Sequence, residues 1–351
     1  MSLLKIKVLL TAVGCPGAVT MIRALKNNGE RDIEIVGTDM RPEAAGRFFV
    51  DTFYTVPAGS SEAFIPRMLD IVQRERPDLI LPQSSYEILP LARHRHEFQS
   101  LNSLPVIAEP DAVERGGDKW LTYQALEGSD VPRPKSTLCK TIDAFTEAIH
   151  QLGYPEKRVC FKPPFSKGTR GFRIVTAEAD RLHLLLNKKP DAMLMTLDEA
   201  LDVFSEANPF PELIVMEYAE GKEHTVDIFS RDGQTLMGFV KTREAMRAGL
   251  AMYFEIVNDP QLWQHGKTIV SVLDLDYFVN IQFKGGKLLE VNPRVSTFVH
   301  QKDFNMPYLG IKYCLGEIEE SDLRAASRRI RATRRTVRYY DQVFYDAKDI
   351  A

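Results

Sequence analysis

The sequence predicts an α/β lobe followed by an α+β region, and three observations support this prediction. Apolar runs of strand length alternate with helical patterns up to about residue 110, which is typical of a parallel sheet covered on both faces. Beyond residue 112, strand signals follow one another closely and indicate hairpins. The chain has 351 residues, which is enough for two or three lobes with separate cores.

Residues 1–111 are predicted to form one Rossmann-like lobe. Four short apolar runs have the length of strands, at 6–12, 33–38, 79–82 and 106–108. Three segments carry apolar residues three and four positions apart and are predicted helices, at 18–28, 64–75 and 87–98. This order of strands and helices is that of βαβ units.

Residues 112–316 are predicted to form a second domain, with a small lobe at about 131–218. Helical patterns lie at 111–126, 180–187 and 196–207. Strand signals lie at 159–162, 172–176, 213–216, 225–230, 235–241, 252–257, 278–284 and 288–291. Residues 317–351 are predicted to be a basic tail, with seven arginines between Arg324 and Arg338. A solvated helix or edge strand explains these arginines, and a patch for phosphate or an acidic partner is the alternative.

Composition narrows the class of protein. The residues are 44% hydrophobic and 26% charged, with a net charge of −3, so neither nucleic acid nor a membrane is an expected partner. Four cysteines are scattered without metal or redox spacing, and no signal-peptide pattern or membrane-length apolar run occurs. A cytoplasmic protein with reduced thiols is the expectation.

The most informative motif runs from Asn280 to Arg294. Side chains two apart on a strand share a face, so Glu290 and Asn292 point the same way, and Gln282 joins them from a partner strand. Such oxygen ligands suit Mg²⁺ or Mn²⁺ that also holds phosphate oxygens. Arg294 has the same parity and is predicted to meet a transferred phosphoryl group. An amphipathic hairpin with a polar face in water is the alternative.

The metal interpretation requires a particular length for the turn between the two strands. A two-residue Gly285-Gly286 turn would place Gln282 and Glu290 on opposite faces, whereas a three-residue loop with a left-handed glycine would align them. The sequence therefore predicts the three-residue, bulged turn.

Phosphate binding needs a device other than a P-loop, because that glycine-lysine spacing occurs nowhere in the chain. Lys162 ends a predicted strand and precedes a loop with glycines and polar residues, among them Ser166, Lys167, Gly168 and Thr169. Glycines let backbone N–H groups approach phosphate, and the lysine adds a point charge. An ordinary hairpin with a glycine tip is the alternative.

In its order of motifs the chain resembles the ATP-grasp superfamily between about residues 112 and 305, with the preceding lobe in the usual place. The resemblance implies a Rossmann-like lobe before a two-lobed ATP-grasp fold, with ATP and Mg²⁺ or Mn²⁺ as cofactors. The resemblance implies that Lys119 and Lys162 contact phosphates and that Glu223 binds the ribose. It also implies that the segment Glu217-Tyr218-Ala219 binds adenine. The metal ligands would be Gln282, Glu290 and Asn292.

The ending Asn-Ile-Gln … Glu-x-Asn-Pro-Arg is similar to that of carbamoyl-phosphate synthetase large chains. Lys119 and Lys162 stand where that family has arginines, and Gly249-Leu250-Ala251 stands where it has Gly-Ile-His. Single-unit relatives imply an ADP-forming ligase that joins a small carboxylate to an amine through an acyl phosphate, with a homodimer as one expectation. Phosphorylation of bicarbonate or carbamate, and a non-catalytic ATP-binding role, remain open. NAD binding is disfavoured, because the three-glycine fingerprint is missing.

Three basic residues are the predicted catalytic groups. Arg294 would stabilise the transferred phosphoryl group and the acyl oxyanion, and Lys241 and Arg243 would hold phosphates or the substrate carboxylate. A solvated basic face is the alternative for the last two. Ser84, Ser85 and Glu87 follow a strand end, where ligands of open α/β sheets gather, although a helix cap explains the serines equally.

Overall fold

The computed structural model describes residues 5–166, 170–178, 180–187, 193–247, 250–295, 300–301 and 304–346. The chain divides into two compact units. Unit 1 comprises Met1–Gly117, His224–Gln282 and Glu290–Ala351, and unit 2 comprises Asp118–Glu223 and Phe283–Leu289. The domain bounds predicted from the sequence stay a prediction.

Unit 1 opens with a parallel sheet, as the alternation of strands and helices predicts. Its strands lie in the order β3-β2-β1-β4-β5, and every pair is parallel. The strands are β1 (Ile6–Leu10), β2 (Ile33–Asp39), β3 (Thr52–Thr55), β4 (Leu79–Leu81) and β5 (Leu104–Pro105). The helices are α1 (Ala18–Lys26), α2 (Phe64–Glu75), α3 (Ile88–Arg93), α4 (Arg95–Ser100) and α5 (Pro110–Gly117), with a 3₁₀ turn at Ala45–Phe49.

Two predictions for this lobe are corrected. The helix expected at 87–98 is two helices divided at His94, whose backbone is not helical. The last strand lies at 104–105 rather than at 106–108. Val106 still donates its N–H to Ile80 at 2.9 Å, but the N–H of Ile107 turns back to the carbonyl oxygen of Pro105 at 3.0 Å, and this local turn ends the strand.

The helix predicted at 111–126 is likewise interrupted at Asp118. That residue has an extended backbone, and its carboxylate accepts hydrogen bonds from the N–H groups of Trp120 and Leu121. Asp118 is thus an N-cap, and it begins α6 (Lys119–Ala125) in unit 2.

Unit 2 is built on a five-stranded sheet in the order β6-β10-β7-β8-β9. The strands are β6 (Ser136–Cys139), β7 (Val159–Lys162), β8 (Arg173–Val175), β9 (Leu194–Met195) and β10 (Leu213–Glu217). The helices after α6 are α7 (Ile142–Gln151), α8 (Arg181–Asn187) and α9 (Leu197–Ser205). Phe145 lies at the centre of the core, edge-on to Phe161 and Phe204 with ring centroids 5.2 Å away in each case.

A second sheet in unit 1 carries most of the predicted catalytic residues. Its order is β15-β14-β11-β12-β13-β18. The strands are β11 (Glu223–Arg231), β12 (Gln234–Arg247), β13 (Leu250–Val257), β14 (Tyr277–Lys284), β15 (Lys287–Asn292) and β18 (Arg335–Val337), and β16 (His300–Gln301) and β17 (Phe304–Asn305) form a separate pair. The helices are α10 (Pro260–Leu273), α11 (Met306–Cys314) and α12 (Glu320–Ser327). In the described part of the chain, no helix has both the length and the apolar character to span a membrane.

Candidate functional site

The turn between β14 and β15 differs from the prediction. Only Gly285 and Gly286 separate the two strands, with φ values of +54° and +80°. The three-residue loop predicted from the parity of the metal ligands is therefore wrong. Gly285 is required here, because a Cβ on it would lie 2.0 Å from the carbonyl oxygen of Glu220.

Strand β15 is distorted just after the turn. The hydroxyl of Tyr123 donates to the carbonyl oxygens of both Leu288, at 3.2 Å, and Leu289, at 3.0 Å. Successive carbonyl groups of a regular strand point to opposite sides, so this geometry indicates a β-bulge. A bulge shifts the side-chain alternation by one residue, so the parity argument made from the sequence does not apply across this turn.

Glu290 and Asn292 lie together after the bulge. The Asn292 amide donates to Glu290 Oε1 at 3.1 Å, and Asn292 is only 3% exposed. Carboxylate and amide oxygens are the ligands that Mg²⁺ prefers, and ATP phosphates would supply further oxygens, so the chemistry of this pair fits the metal. The described residues include no group of three or more His, Cys, Asp or Glu that could hold a metal ion. The predicted ligands contain one carboxylate, so that finding leaves them untested.

A cavity of about 150 Å³ lies within unit 1. It contains the predicted residues Lys241, Arg243, Gln282 and Arg294. The loops after β1 and β4 contribute to its wall, as expected for ligands at the carboxyl ends of parallel strands. Its other lining residues are Cys15, Pro16, Gly17, Gln83, Leu250, Ala251, Phe254, Asn280, Val295 and Arg338.

A buried ion pair supports the cavity. Lys241 and Asp227 are each 5% exposed and form a salt bridge, and Asn280 donates to the other oxygen of Asp227 at 2.6 Å. Burial lowers the pKa of Lys241, and the charge of Arg243 acts in the same direction, while Asp227 opposes both. Asp227 thus favours the charged form of this ammonium group against burial and the neighbouring cations.

Arg294 lies half-buried at the cavity wall and is held by two hydrogen bonds. Its Nε donates to the hydroxyl of Ser85 at 2.8 Å, and Nη1 donates to the carbonyl oxygen of Val295 at 3.1 Å. Burial lowers the pKa of Arg294, whereas the negative charges of Glu290 and Asp227 oppose that change. A guanidinium held in this way is placed to bind an anion.

The predicted phosphate residues lie in unit 2. Lys162 ends β7, and its Nζ donates to the carbonyl oxygen of Leu289 at 3.0 Å. Lys119 begins α6, and its Nζ donates to the carbonyl oxygen of Ser166 at 2.9 Å. Both ammonium groups therefore donate hydrogen bonds to backbone carbonyl oxygens. Lys167, Gly168 and Thr169 lie outside the described residues.

The predicted adenine and ribose residues are also in unit 2. Glu217 ends β10 and is paired with Lys287. Burial acts to raise the pKa of Glu217, but the hydrogen bonds and charges of Lys287 and Lys135 together lower it. The ammonium of Lys284 lies 4.6 Å from the centroid of the Tyr218 ring and 3.9 Å from Glu223. Ala219 is 7% exposed.

The loop after β1 is held by a carboxylate. Asp39 Oδ2 accepts a hydrogen bond from the N–H of Gly14 at 2.7 Å, and Oδ1 accepts one from Arg41 at 2.9 Å. A Cβ on Gly14 would lie 2.8 Å from Asp39 Oδ2. Asp39 therefore shapes this loop through backbone contacts.

Ser84, Ser85 and Glu87 make different contacts. Ser84 accepts from the N–H of Tyr86 at 3.4 Å, which is a local turn contact, whereas Ser85 orients Arg294. Glu87 is 6% exposed and accepts a hydrogen bond from the hydroxyl of Thr11. Burial, opposed by that hydrogen bond and aided by the charge of Asp39, raises the pKa of Glu87 to about 7.

Sequence reasoning missed several residues that line the cavity or support its lining. Asp227 interrupts an otherwise apolar strand, which is a signal that was present in the sequence. Asn280 has the parity of Gln282 and was therefore also detectable. Arg338 was not, because its place depends on the register of β18 against β13.

Two family descriptions match parts of the chain. Residues 209–337 match "ATP-grasp in the biosynthetic pathway with Ter operon". Residues 8–107 match "PylC-like, N-terminal domain". The carbamoyl phosphate synthase large chain of Clostridium botulinum (strain Eklund 17B / Type B) is 25% identical over 301 residues, which are 80% of this chain and 25% of that protein. The chain thus spans about a quarter of the length of this curated relative.

Solved structures share the fold at low identity. N5-carboxyaminoimidazole synthetase from Staphylococcus aureus, complexed with ADP, has a TM-score of 0.59 and 14% identity, covering 93% of this chain and 78% of that chain. The biotin carboxylase domain dimer of Hydrogenobacter thermophilus 2-oxoglutarate carboxylase, with MgADP, ADP and bicarbonate, has a TM-score of 0.62 and 17% identity, covering 89% and 70%. The molecule therefore has the fold of ATP-grasp enzymes. Residues 209–337 match an ATP-grasp family description, and the predicted resemblance and fold class are confirmed.

Proposed function

We propose that this chain is an ATP- and Mg²⁺-dependent ligase that joins a carboxylate to an amine or ammonia through an acyl phosphate. The observation that carries the proposal is the surroundings of Arg294. This half-buried guanidinium lines the basic cavity, and it lies two residues after Asn292, whose amide donates a hydrogen bond to Glu290. A guanidinium binds carboxylate and phosphoryl oxygens, and the Glu290–Asn292 pair suits Mg²⁺.

The reaction has two steps. A carboxylate oxygen of the substrate attacks the γ-phosphorus of ATP, the bond from that phosphorus to the β–γ bridging oxygen breaks, and ADP leaves. The amine nitrogen then attacks the acyl carbon, the carbon–oxygen bond to phosphate breaks, and the amine loses a proton. Arg294 stabilises the charge on the phosphoryl oxygens in the first step and on the acyl oxygen in the second.

The remaining predicted residues take the ATP roles that the resemblance implies. We assign phosphate contacts to Lys119 and Lys162, adenine to the backbone of Tyr218 and Ala219, and ribose to Glu223. The lysines support this assignment because each ammonium now sits on a neutral carbonyl oxygen, which phosphate oxygens would replace with a stronger partner.

Hydroxylamine trapping tests the proposal. The full-length chain is incubated with ATP, Mg²⁺, hydroxylamine and a panel of carboxylic acids, and hydroxamate and ADP are measured. An acyl phosphate reacts with hydroxylamine whatever the natural amine is, so at least one acid should give equal amounts of both products. ATP binding with no hydroxamate from any acid would instead favour a non-catalytic role.

Phosphorylation of bicarbonate or carbamate is a second candidate. The similarity to a carbamoyl phosphate synthase large chain favours it. Bicarbonate-dependent ADP release, with no response to organic acids, would establish it in place of the ligase. The apolar part of the cavity, formed by Leu250, Ala251, Phe254 and Val295, favours an organic acid, because bicarbonate has no apolar surface to bury.

A further inference from the structure

The cavity of unit 1 is lined by four basic side chains, which come from three separate segments of the chain. Lys241 and Arg243 lie on β12, Arg294 follows β15, and Arg338 follows β18. Among the described residues that line the cavity there is no aspartate or glutamate. Asp227 lies behind Lys241 and balances one of these charges. The cavity therefore carries an excess of positive charge, which favours an anionic ligand.

Arg338 reaches the cavity through the register of the last strand. Residues Phe254 and Thr336 are paired across β13 and β18, and the N–H of Arg338 donates to the carbonyl oxygen of Met252 at 2.8 Å. Side chains alternate along this edge, so Arg335 and Val337 are exposed while Arg338 is partly buried. The guanidinium carbon of Arg338 lies 5.8 Å from the centre of the Phe254 ring. An edge strand thus adds a cation to the cavity.

The guanidinium of Arg338 lacks a counter-ion within the described residues. Its Nε is buried and donates its N–H to no described residue, and no described carboxylate lies within salt-bridge distance of the guanidinium. Burial alone lowers the pKa of Arg338. A charge removed from water and left without a partner is costly, and a bound anion would remove that cost.

Arg338 and Arg294 come from opposite edges of the sheet. Arg294 follows β15, which carries Glu290 and Asn292, whereas Arg338 follows β18 at the other edge. Arg294 is therefore the group near the proposed Mg²⁺ ligands, and Arg338 is a second anion-binding group away from them. The apolar side chains of Leu250 and Phe254 also line the cavity and suit a short carbon chain.

We propose that the acid substrate carries two anionic groups, one carboxylate at Arg294 and a second anionic group at Arg338. This inference rests on the proposed ligase function and names the substrate class. The volume of the cavity, about 150 Å³, is large enough for a small diacid. A cavity of about 150 Å³ in another protein holds benzene. A zwitterionic amino acid would bring an ammonium group to a wall where the described residues offer no carboxylate. The second group is a carboxylate or a phosphate, since a guanidinium binds both in the same way.

Binding of matched acids tests this inference. Isothermal titration calorimetry of the full-length chain, with Mg²⁺ and a non-hydrolysable ATP analogue present, compares succinate with succinamate, glutarate with glutaramate, and phosphoglycolate with glycolate. Each pair differs in its second anionic group. At least one dianion should bind at least tenfold more tightly than its partner, and the phosphoglycolate pair distinguishes phosphate from carboxylate. Equal affinity within every pair, or no binding of any dianion, would overturn the inference.

Two variants locate the second group. Arg338→Gln should weaken the bound dianion at least tenfold and leave its monoanionic partner unchanged. Arg335→Gln is the matched control, because Arg335 lies on the same strand, is exposed and pairs with Glu255. Wild-type affinity for the dianion in Arg338→Gln would contradict the assignment. The wild-type comparison of acids stands even if this variant fails to fold.

The inference and the proposed function fail in different ways. A dianion that binds but gives neither hydroxamate nor ADP contradicts the ligase and leaves the binding site in place. Hydroxamate from monoanionic acids, formed as efficiently as from dianions, contradicts the substrate class and leaves the ligase in place.

Discussion

Lys241 and Asp227 form an ion pair in which each side chain is 5% exposed, at the base of a cavity lined by three arginines. The pair is completed by Asn280, which donates to the second oxygen of Asp227 at 2.6 Å. Three strands, β11, β12 and β14, thus contribute one member each. Asp227 and Asn280 thus fix the position of a lysine in a buried and basic environment beside the cavity.

Removal of the counter-charge should destabilise the protein. In Asp227→Asn, Lys241 is left buried without a carboxylate, and the free energy of unfolding should fall by about 3–5 kcal/mol. Urea unfolding measures this loss. Asp232→Asn is the control, because Asp232 is 78% exposed, and it should unfold like the wild type. The double variant Asp227→Leu/Lys241→Met should recover much of the stability, because it removes both buried charges. It should not turn over ATP. A wild-type unfolding curve for Asp227→Asn would contradict this account of the pair.

Glu87 should make stability depend on pH. Its pKa is raised from 4.5 to about 7 in the folded chain, so the folded state binds more protons between these values. The resulting stabilisation is present below pH 4.5 and is lost as the pH rises through about 7. The loss in the free energy of unfolding is about 3 kcal/mol. Glu87→Gln removes this dependence, so its stability relative to the wild type should rise by that amount between pH 4.5 and 8.

Urea unfolding at several pH values measures the difference between the two proteins, which cancels the titration of other groups. Asp39 and Cys15 are the neighbours whose charges interact with Glu87. Glu127→Gln, at an exposed position, serves as the control for the substitution itself. A flat difference for Glu87→Gln would show that this carboxyl group is ionised normally.

The two glycines of the β14–β15 turn should differ in their response to alanine. Both have positive φ, so each substitution costs about 1 kcal/mol in backbone strain. At Gly285 the Cβ would also lie 2.0 Å from the carbonyl oxygen of Glu220, whereas nothing lies within 4 Å at Gly286. Gly285→Ala should therefore be the more destabilised variant in thermal unfolding. Equal melting temperatures would contradict the close approach.

Glu290→Ala should abolish Mg²⁺-dependent ATP use while the fold is retained. Glu290 supplies the one carboxylate of the proposed metal ligands, and Asn292 alone is a weak ligand for Mg²⁺. ADP release at increasing Mg²⁺ concentrations, with far-ultraviolet circular dichroism as the check on folding, measures both effects. Glu212→Ala, at a position 53% exposed, is the control. Unchanged turnover in Glu290→Ala would remove the metal assignment.

The fold could be predicted to a large extent because its signals are local. Apolar runs defined β1, β2 and β4, and the spacing of Phe64, Met68, Ile71 and Val72 defined α2, which has the predicted bounds. The errors arose where a single residue changed the local structure, as at the cap formed by Asp118 and the break at His94. Helix α10, which follows the Asp259 cap and begins at Pro260, was missed although both signals are in the sequence.

The candidate site was less predictable, because it depends on pairing between distant strands. The Glu-x-Asn spacing indicated that Glu290 and Asn292 lie together. No local pattern could show that Ser85 contacts Arg294, or that Arg338 and Phe254 meet across β13 and β18. The bulge at Leu288–Leu289 explains the error in the turn, since parity arguments assume regular strands.

The most direct test of the acyl phosphate is the transfer of ¹⁸O from substrate to phosphate. The acid identified by hydroxylamine trapping is labelled in its carboxylate and incubated with ATP, Mg²⁺ and its amine, and the phosphate released is analysed by mass spectrometry. The proposed mechanism predicts one ¹⁸O atom in each phosphate molecule formed, because the carboxylate oxygen that attacks the γ-phosphorus leaves with it. Unlabelled phosphate released together with the ligated product would contradict the mechanism.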